Sequence, residues 1–332
     1  MNDGLGDWRP TASCERLRQR AAMLATVRAF FAARGVLEVD TPQLVNFAVT
    51  DLHLHSAQVR WPGAQSPNEA GSRPLYLHTS PEYAMKRLLA AASGDIYQMC
   101  HVFRGAERGA LHNSEFMLLE WYRQGWTLTR LMHEVADLLR LLLGNRASGA
   151  ARYISYEQCF LDALGINPLT DPDSTLGDCA RAQGLDTELV RGCGRDELLE
   201  LLMGACIGPR LGSEGPAFLH RYPASQAALA RLDPADPRVA LRFELYLHGV
   251  ELANGFEELA DAGEQRQRFS ADQRARAARN LTIPPMDEYL LAALAAGLPT
   301  CAGVALGFDR ILMLACGARE IAEVMPFTTD RA

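Results

Sequence analysis

Apolar side chains recur at helical spacing between residues 13 and 34, and arginines lie between them. Ser13 is a suitable N-cap and Gly35 a suitable residue to end a helix, so this pattern predicts an amphipathic helix with a solvated basic face. Similar patterns predict helices near 81–92, 128–145, 262–280 and 287–297.

Short apolar runs bounded by glycine, proline or polar residues predict strands after Gly35, at LYLHTSPE, at 116–122 and at 217–222. Two further runs, RFELYL and VELAN, flank His248 and Gly249 and predict a two-residue hairpin. The segment CAGVALGFDRILMLACG predicts a strand that leads into a helix, and 62–74 has the composition of a loop.

Hairpin-linked strands with helices outside them predict an α+β fold with an antiparallel sheet flanked by helices. The segment from about 146 to 215 is rich in helical patterns and in Gly and Pro. We interpret it as a helical insertion within a single domain that comprises residues 1–332.

The composition narrows the functional classes. Of the 332 residues, 48% are hydrophobic, and the formal net charge is −7. A protein that grips a nucleic-acid backbone usually carries a basic excess, so stable nucleic-acid binding is not expected. There is no apolar run long enough to span a membrane and no signal-peptide pattern at the start, so we expect a cytoplasmic protein.

The eight cysteines are scattered and form no C-x-x-C pair, which predicts reduced thiols rather than disulfides or a zinc site. His53 and His55 would share one face of a strand, but no further ligand cluster lies near them in the sequence. A surface or hydrogen-bonding role is therefore preferred to metal binding for these two histidines.

Charged side chains border apolar strands at four places: Arg104 with Glu120; Glu82; Glu251, Asn254, Glu257 and Glu258; and Arg310. Any one of them alone is best explained as a surface charge, and Glu257 in particular as a solvated neighbour. Together they would be costly inside one core unless a polyanion and a cation pair with them.

Arginine side chains suit a nucleoside triphosphate, because the planar guanidinium matches phosphate oxygens. Carboxylates suit the accompanying Mg²⁺ or the ammonium group of an amine-bearing substrate. The sequence contains neither G-x-x-x-x-G-K-[ST] nor G-x-G-x-x-G, so an ATP fold other than the P-loop or Rossmann type is required.

Five segments in order along the chain resemble class II aminoacyl-tRNA synthetases of the lysyl type. FFAARGVLEVDTP is similar to the first motif, which in that class builds the dimer interface, FRGAERGALHNSEFMLLEWY to the second, and GVALGFDRILML to the third. TSPE and ELANGFEEL resemble the segments of the lysine pocket. The resemblance implies the class II fold, ATP and Mg²⁺ as cofactors, and a homodimer.

The lysyl enzymes also carry an N-terminal OB-type anticodon-binding domain, which we do not expect here because the predicted helix of the first motif begins near residue 13. The nearest resemblance is therefore to truncated relatives that modify translation elongation factor P. This implies an AMP-forming ligase that activates (R)-β-lysine, or lysine, and transfers it to the ε-amino group of one lysine of that factor.

The resemblance implies ATP-binding and catalytic roles at specific positions. Arg104 would contact the α-phosphate, Arg310 would clamp the γ-phosphate, and Glu251 would bind ATP through Mg²⁺. The other implied ATP-binding positions are Gly105, Ala106, Glu107, Asn113, Phe116 (by stacking on adenine), Leu252 and Gly307.

The amino-acid pocket implied by the resemblance comprises Ser80, Pro81, Glu82, Tyr122 and Glu258. The two carboxylates among them would pair with the ammonium groups of the substrate.

Two positions depart from the family pattern. Ala106 stands where the second motif usually has glutamate, with Glu107 one residue further on. Either Glu107 substitutes after a small backbone shift, or main-chain groups read the adenine. Ala305 stands where the synthetases commonly have glycine, which favours the truncated relatives.

Two alternatives to this function stay open from the sequence. The first is an enzyme that lysylates tRNA, or another amino-acid ligase with the same active site. The second is a catalytically silent paralogue that acts as a regulator, for which Ala106 is the main argument.

Overall fold

The structure, a computed structural model, describes residues 8–59, 74–105 and 108–332. Its α-helices are α1 (Cys14–Ala32), α2 (Glu82–Ala90), α3 (Leu128–Leu143), α4 (Tyr156–Leu164), α5 (Asp173–Ala182), α6 (Thr187–Arg191), α7 (Arg195–Leu202), α8 (Ala262–Ala278), α9 (Glu288–Gly297) and α10 (Phe308–Cys316). Its strands are β1 (Leu37–Glu38), β2 (Leu44–Val45), β3 (Gln58–Val59), β4 (Leu75–Leu77), β5 (Ile96–Phe103), β6 (Glu115–Gln124), β7 (Arg152–Ser155), β8 (Ala217–Pro223), β9 (Leu232–Asp233), β10 (Asp236–Leu247), β11 (Val250–Glu257) and β12 (Cys301–Gly307).

The chain forms two compact units. Unit 1 comprises Met1–Gln124, Ala260–Thr300 and Ala305–Ala332, and unit 2 comprises Gly125–Leu259 and Cys301–Val304. Strand β12 therefore contributes residues to both. The expectation of a single domain with an insertion at 146–215 stays a prediction; that segment contains β7 and helices α4 to α7.

In unit 1 the strand order is β1-β5-β6-β12, with β1 parallel and β6 antiparallel to β5. Helix α1 packs on this layer through Phe31, whose ring stacks on Tyr97 of β5 at 4.4 Å and meets Trp121 of β6 edge-on at 5.3 Å. All three aromatic rings are buried, so they contribute a large share of the core of this unit.

The predicted start of α1 is confirmed, because the Ser13 hydroxyl accepts the backbone N–H of Arg16. Gly35 follows the helix with φ near +65°, a conformation that glycine adopts without steric cost. The basic face of α1 is only partly solvated, contrary to expectation. Arg20 is buried and forms an ion pair with Asp309.

In unit 2 the strand order is β12-β11-β10-β8-β7, with β9 paired to β10. The predicted hairpin is confirmed: β10 and β11 are antiparallel, and His248 and Gly249 both have positive φ, as a tight two-residue turn requires. Gly255 is required by packing, because an added Cβ would lie 2.4 Å from the ring of Phe243.

The expected α+β fold with a mostly antiparallel sheet flanked by helices is confirmed. The hydrophobic pattern predicted no element for 96–103, where the structure has β5. This strand is buried for most of its length, so it lacks the polar alternation that marks a half-exposed strand.

Of the predicted loop at 62–74, residues 62–73 lie outside the described residues. No helix in the described part of the chain is long and apolar enough to cross a membrane.

Candidate active site

Arg104 and Phe116 lie together at the loop end of the β5–β6 hairpin in unit 1. The backbone N–H of Arg104 donates to the carbonyl of Ser114 at 2.9 Å, and the guanidinium carbon lies 5.1 Å from the centroid of the Phe116 ring. Arg104 Nε also donates to the carbonyl of Thr79 at 3.5 Å. The guanidinium of Arg104 and the ring of Phe116 are thus adjacent, an arrangement that suits binding of a phosphate beside a purine base.

Gly105 follows Arg104 and is held by the segment before β3. Its backbone N–H donates to the carbonyl of His55 at 2.7 Å, and an added Cβ would lie 3.1 Å from the same oxygen. His55 therefore takes part through its main chain, while its side chain is exposed. The predictions for Ala106 and Glu107 fall outside the described residues.

Asn113 is buried in the loop between β5 and β6, and its side chain is engaged within the protein. Its Nδ2 donates to the carbonyl of Glu115 at 2.6 Å, and its Oδ1 accepts the backbone N–H of Thr329 at 3.2 Å. These bonds give Asn113 a role in shaping the loop. Its contact with ATP stays a prediction.

Arg310 lies on the first turn of α10, three residues after Gly307. It reaches the loop that follows Arg104: Nε donates to the carbonyl of Leu111 at 3.3 Å, and Nη2 donates to Nε2 of His112 at 2.7 Å. A Cβ added at Gly307 would contact only the Arg310 side chain, at 3.7 Å or more. Packing among the described residues therefore does not by itself require glycine at 307.

The predicted amino-acid pocket residues of unit 1 meet at a buried carboxylate, Glu120. The Ser80 hydroxyl donates to its Oε2 at 2.7 Å, and the Tyr122 hydroxyl donates to its Oε1 at 2.6 Å. Ser80 also accepts the backbone N–H of Glu82 at 3.0 Å, which begins α2 immediately after Pro81. The structure thus brings Ser80, Pro81, Glu82 and Tyr122 together.

Glu120 is only 2% exposed, and its pKa is raised to about 7. Burial is the largest cause, because it penalises the charged carboxylate, and the negative charge of Glu82 adds to it. Hydrogen bonds from Tyr122 and Ser80 and the positive charge of Lys86 act in the opposite direction. A buried carboxylate with a pKa near 7 marks a candidate functional site.

Neither Glu120 nor Lys86 is among the residues that the sequence predicts for the pocket. The position of Glu120, a charged residue inside an apolar strand, is the signal that could have assigned it to the pocket. Lys86 is 1% exposed, and its Nζ donates to Glu82 Oε1 at 2.7 Å. The four-residue spacing between Glu82 and Lys86 on α2 was visible in the sequence.

In unit 2 the structure places Glu251, Leu252 and Glu258 on or just after β11. Tyr246 of β10 lies opposite Glu251 and Leu245 lies opposite Ala253, so Leu252 is an extra residue that forms a β-bulge.

The bulge changes which residues of β11 share a face. Beyond it, Asn254 lies opposite Glu244, which is on the same face of β10 as Tyr246. Glu251 and Asn254 therefore share one face of β11 although they are three residues apart. Glu258 continues this face, four residues beyond Asn254 in extended chain.

Arg242 of β10 is a half-buried cation on the same face. It donates to Glu244 Oε1 at 2.5 Å, to Asn254 Oδ1 at 3.3 Å and to the carbonyl of Gln226 at 2.7 Å. Its guanidinium carbon lies 4.3 Å from the centroid of the Tyr222 ring. Because Oδ1 of Asn254 accepts from Arg242, the amide nitrogen of Asn254 remains a donor for another group.

Glu257 is not a solvated neighbour, and that interpretation was wrong. Its side chain is buried, forms an ion pair with Arg231 and accepts the backbone N–H of Leu128 at 3.2 Å. Strand alternation turns it to the face opposite Glu258, into the interior of unit 2. Glu257 is thus a structural residue.

Among residues 8–59, 74–105 and 108–332, no group of three or more His, Cys, Asp or Glu side chains is placed to hold a metal ion. A Mg²⁺ ion that arrives with a nucleotide needs less, because it keeps waters and phosphate oxygens and takes only one or two carboxylates from the protein. Glu251, a half-buried carboxylate, fits that requirement.

The model of the family described as tRNA synthetases class II (D, K and N) matches residues 4–331. Among curated relatives, the elongation factor P–(R)-β-lysine ligase of Vibrio vulnificus (strain YJ016) is 50% identical over 321 residues, which is 97% of this chain and 98% of the relative. The protein of the same name from Erwinia tasmaniensis is 50% identical over 324 residues, 98% of each chain. That from Edwardsiella ictaluri (strain 93-146) is 49% identical over 332 residues, 100% of each chain.

These matches extend over nearly the whole chain and agree with the order of motifs in the sequence. The chain belongs to the class II tRNA synthetase family (D, K and N).

Proposed function

We propose that the protein is an ATP-dependent ligase that activates (R)-β-lysine as an adenylate and transfers it to the ε-amino group of a specific lysine of translation elongation factor P. The observation that carries this proposal is identity of about 50% over nearly the full length to relatives named for that activity. The buried carboxylate Glu120, surrounded by Ser80, Glu82 and Tyr122, supports a substrate that carries an ammonium group.

In the first step a carboxylate oxygen of the amino acid attacks the α-phosphorus of ATP. A new oxygen–phosphorus bond forms, the bond to the β-phosphate oxygen breaks, and pyrophosphate leaves. Arg104 would stabilise the charge that develops on the α-phosphate, and Arg310 would hold the γ-phosphate. Their support is geometric: Arg104 lies over Phe116, and Arg310 reaches the loop at 111–112.

ATP and Mg²⁺ are part of this proposal. A Mg²⁺ ion bound with ATP supplies positive charge to the phosphate oxygens, and Glu251 would hold it. Asn113, Phe116, Leu252, Gly307 and the segment 105–107 would complete the nucleotide site. The bulge supports the roles of Glu251 and Leu252, because it interrupts the regular ladder at that point of β11.

In the second step the neutral ε-amino nitrogen of the acceptor lysine attacks the acyl carbon. The bond to the adenylate oxygen breaks, AMP leaves, and the nitrogen loses a proton as the amide forms. This route needs no nucleophile from the protein. Burial raises the pKa of the Cys100 thiol to about 12 and that of Cys159 to about 11, so neither is a thiolate at neutral pH.

The proposal extends to assembly and location. A homodimer is supported by Leu37 in the first-motif segment. This large apolar residue is 55% exposed in the single chain, and a partner subunit could cover it. The net charge of −7 supports a protein acceptor rather than a stable complex with nucleic acid. An acceptor that acts in translation implies a cytoplasmic enzyme.

The test varies the acceptor and the amino acid together. The purified protein is incubated with ATP, Mg²⁺, radiolabelled (R)-β-lysine or α-lysine, and either elongation factor P or tRNA. We expect label on the factor, a preference for (R)-β-lysine, and loss of labelling after chelation of Mg²⁺. Label on tRNA alone would overturn the proposal in favour of a tRNA-lysylating enzyme. Absence of amino-acid-dependent pyrophosphate exchange into ATP would overturn it in favour of a silent paralogue.

A further inference from the structure

Lys86 is a buried lysine that the proposed chemistry does not use. Its side chain is 1% exposed on α2, in the interior of unit 1. Lysine is almost never buried to this extent without a partner, because removing its ammonium group from water is costly. The partner here is Glu82, one helical turn earlier, whose Oε1 lies 2.7 Å from Lys86 Nζ.

Glu82 and Glu120 belong to one hydrogen-bonded group. The backbone N–H of Glu82 donates to the Ser80 hydroxyl, which in turn donates to Glu120. Tyr122 donates to the other oxygen of Glu120. Both oxygens of Glu120 therefore accept hydroxyl hydrogens, whereas Glu82 is bound to an ammonium group of the protein itself.

The formal charges of this group decide what it can bind. With both carboxylates ionised, Glu82 and Glu120 contribute two negative charges and Lys86 contributes one positive charge. The remaining single negative charge matches one ammonium group of a ligand. Without Lys86, two negative charges would share a buried space, which favours protonation or movement of a carboxylate rather than a fixed binding geometry.

We propose that Lys86 is a positioning residue of the amino-acid pocket: it holds the Glu82 carboxylate in place and leaves the group of Glu82, Glu120 and Lys86 with one net negative charge, which selects substrates that present a single ammonium group to this part of the pocket. This rests on the proposed function, in which the pocket receives a lysine-type amino acid. Lys86 does not touch the reacting atoms and acts through Glu82.

The charged and titratable groups that face Glu120 come from three elements. Glu82 and Lys86 lie on α2, and Tyr122 lies on β6 with Glu120 itself. On β5, the neutral side chain of Gln98 lies directly opposite Glu120. The Cys100 thiol on the same strand is close enough for the negative charge of Glu120 to raise its pKa. Removal of Lys86 takes away the cation of this set, and removal of the Glu82 charge takes away the repelling anion.

The test uses four variants of the full-length protein: Lys86→Met, Lys86→Arg, Glu82→Gln and the double variant Lys86→Met with Glu82→Gln. Amino-acid-dependent pyrophosphate exchange gives KM for (R)-β-lysine and KM for ATP across pH. We expect Lys86→Met to raise KM for the amino acid at least about tenfold at pH 7, with KM for ATP unchanged, because Glu120 then holds its proton to higher pH.

The directions of the pH shifts distinguish charge balance from packing. Lys86→Met should move the acid limb of kcat/KM for the amino acid to higher pH, and Glu82→Gln should move it to lower pH. The double variant restores one net negative charge, so its limb should return toward that of the wild type. Lys86→Arg should leave the acid limb of kcat/KM at the same pH as in the wild type, because arginine retains the positive charge.

The proposal is overturned if Lys86→Met leaves KM for the amino acid and the acid limb unchanged. If Lys86→Met does not fold, Glu82→Gln alone decides: a limb that stays in place or moves to higher pH overturns the proposal. A wild-type protein without any exchange contradicts the proposed function instead. In that case, binding of (R)-β-lysine to the same variants is followed by the shift in thermal midpoint, with the same expected order.

Discussion

The backbone N–H of Met117 donates to Asp309 Oδ2 at 2.6 Å. Asp309 is 1% exposed, and its other oxygen pairs with Arg20 of α1. One carboxylate of the third motif segment thus joins helix α1 and the second motif segment within unit 1. Because Arg310 follows Asp309 directly, this junction also fixes the start of the helix that carries Arg310.

Asp309→Asn should lower the free energy of unfolding by about 3 kcal/mol, because the variant leaves Arg20 without its buried counter-charge. Asparagine keeps an oxygen that can accept from Met117, so the loss is mainly electrostatic. Denaturant unfolding measures the change, and Arg20→Met combined with Asp309→Asn should cost less than the sum of the two single changes. Asp178→Asn, which removes an exposed ion pair with Arg181, is the control and should cost less than about 1 kcal/mol.

Arg310→Ala should lower amino-acid-dependent pyrophosphate exchange at least about a hundredfold, because the variant lacks the guanidinium that we propose holds the γ-phosphate in the reacting complex. Circular dichroism and the thermal midpoint should stay close to those of the wild type, since the Arg310 side chain is only half-buried. Arg319→Ala, an exposed arginine beyond the end of α10, is the matched control. Exchange at the wild-type level in Arg310→Ala would show that the third motif is misassigned.

Glu120→Gln should change how stability depends on pH. The pKa of Glu120 is raised from 4.5 to about 7, so the folded protein binds more protons than the unfolded chain between these values. The wild type therefore loses stability as pH rises from about 4.5 to 7, by at most about 3 kcal/mol. The glutamine variant lacks this loss.

The thermal midpoint of Glu120→Gln minus that of the wild type should accordingly rise between pH 4.5 and 7 and level off above about pH 8. Glu115→Gln, on the same strand with a side chain 45% exposed, controls for the removal of a carboxylate. A difference that is flat across this range would contradict the raised pKa.

Glu257→Gln and Glu258→Gln should have opposite effects although the residues are neighbours. Glu257→Gln should lower the free energy of unfolding by about 1–3 kcal/mol, because it weakens the bonds to Arg231 and Leu128, and it should leave KM for the amino acid unchanged. Glu258→Gln should raise that KM at least about tenfold without loss of stability, because the carboxylate that would pair with the substrate is removed. Urea unfolding and exchange kinetics measure the two effects, and a reversal of this pattern would refute the assignment.

The helix patterns and turn residues predicted most of the secondary structure. Ser13 and Gly35 marked the ends of α1, and the pair His248 and Gly249 marked the β10–β11 turn, because capping and positive φ depend on local chemistry. Strand β5 was missed, since a strand buried on both faces has no polar alternation to distinguish it.

The sequence also predicted three pocket residues that the structure brings together, but not the side chain at which they meet. Ser80, Glu82 and Tyr122 meet as expected around a common feature, Glu120. The interpretation of Glu257 failed because burial of a carboxylate depends on Arg231, which is 26 residues away in the chain. Such a pair depends on strand pairing rather than on local pattern.

By itself, the sequence determined the family, the order of its motifs and the residue types available for binding a triphosphate and an ammonium group, because these depend on identity and spacing along the chain. Only the tertiary structure decided which side chains share a face. Regular alternation would turn Glu251 away from Asn254 and Glu258, and the extra residue at Leu252 brings them to the same side. Likewise, only packing around α2 decided that Lys86 lies inside, where its charge must be balanced by Glu82 rather than by water.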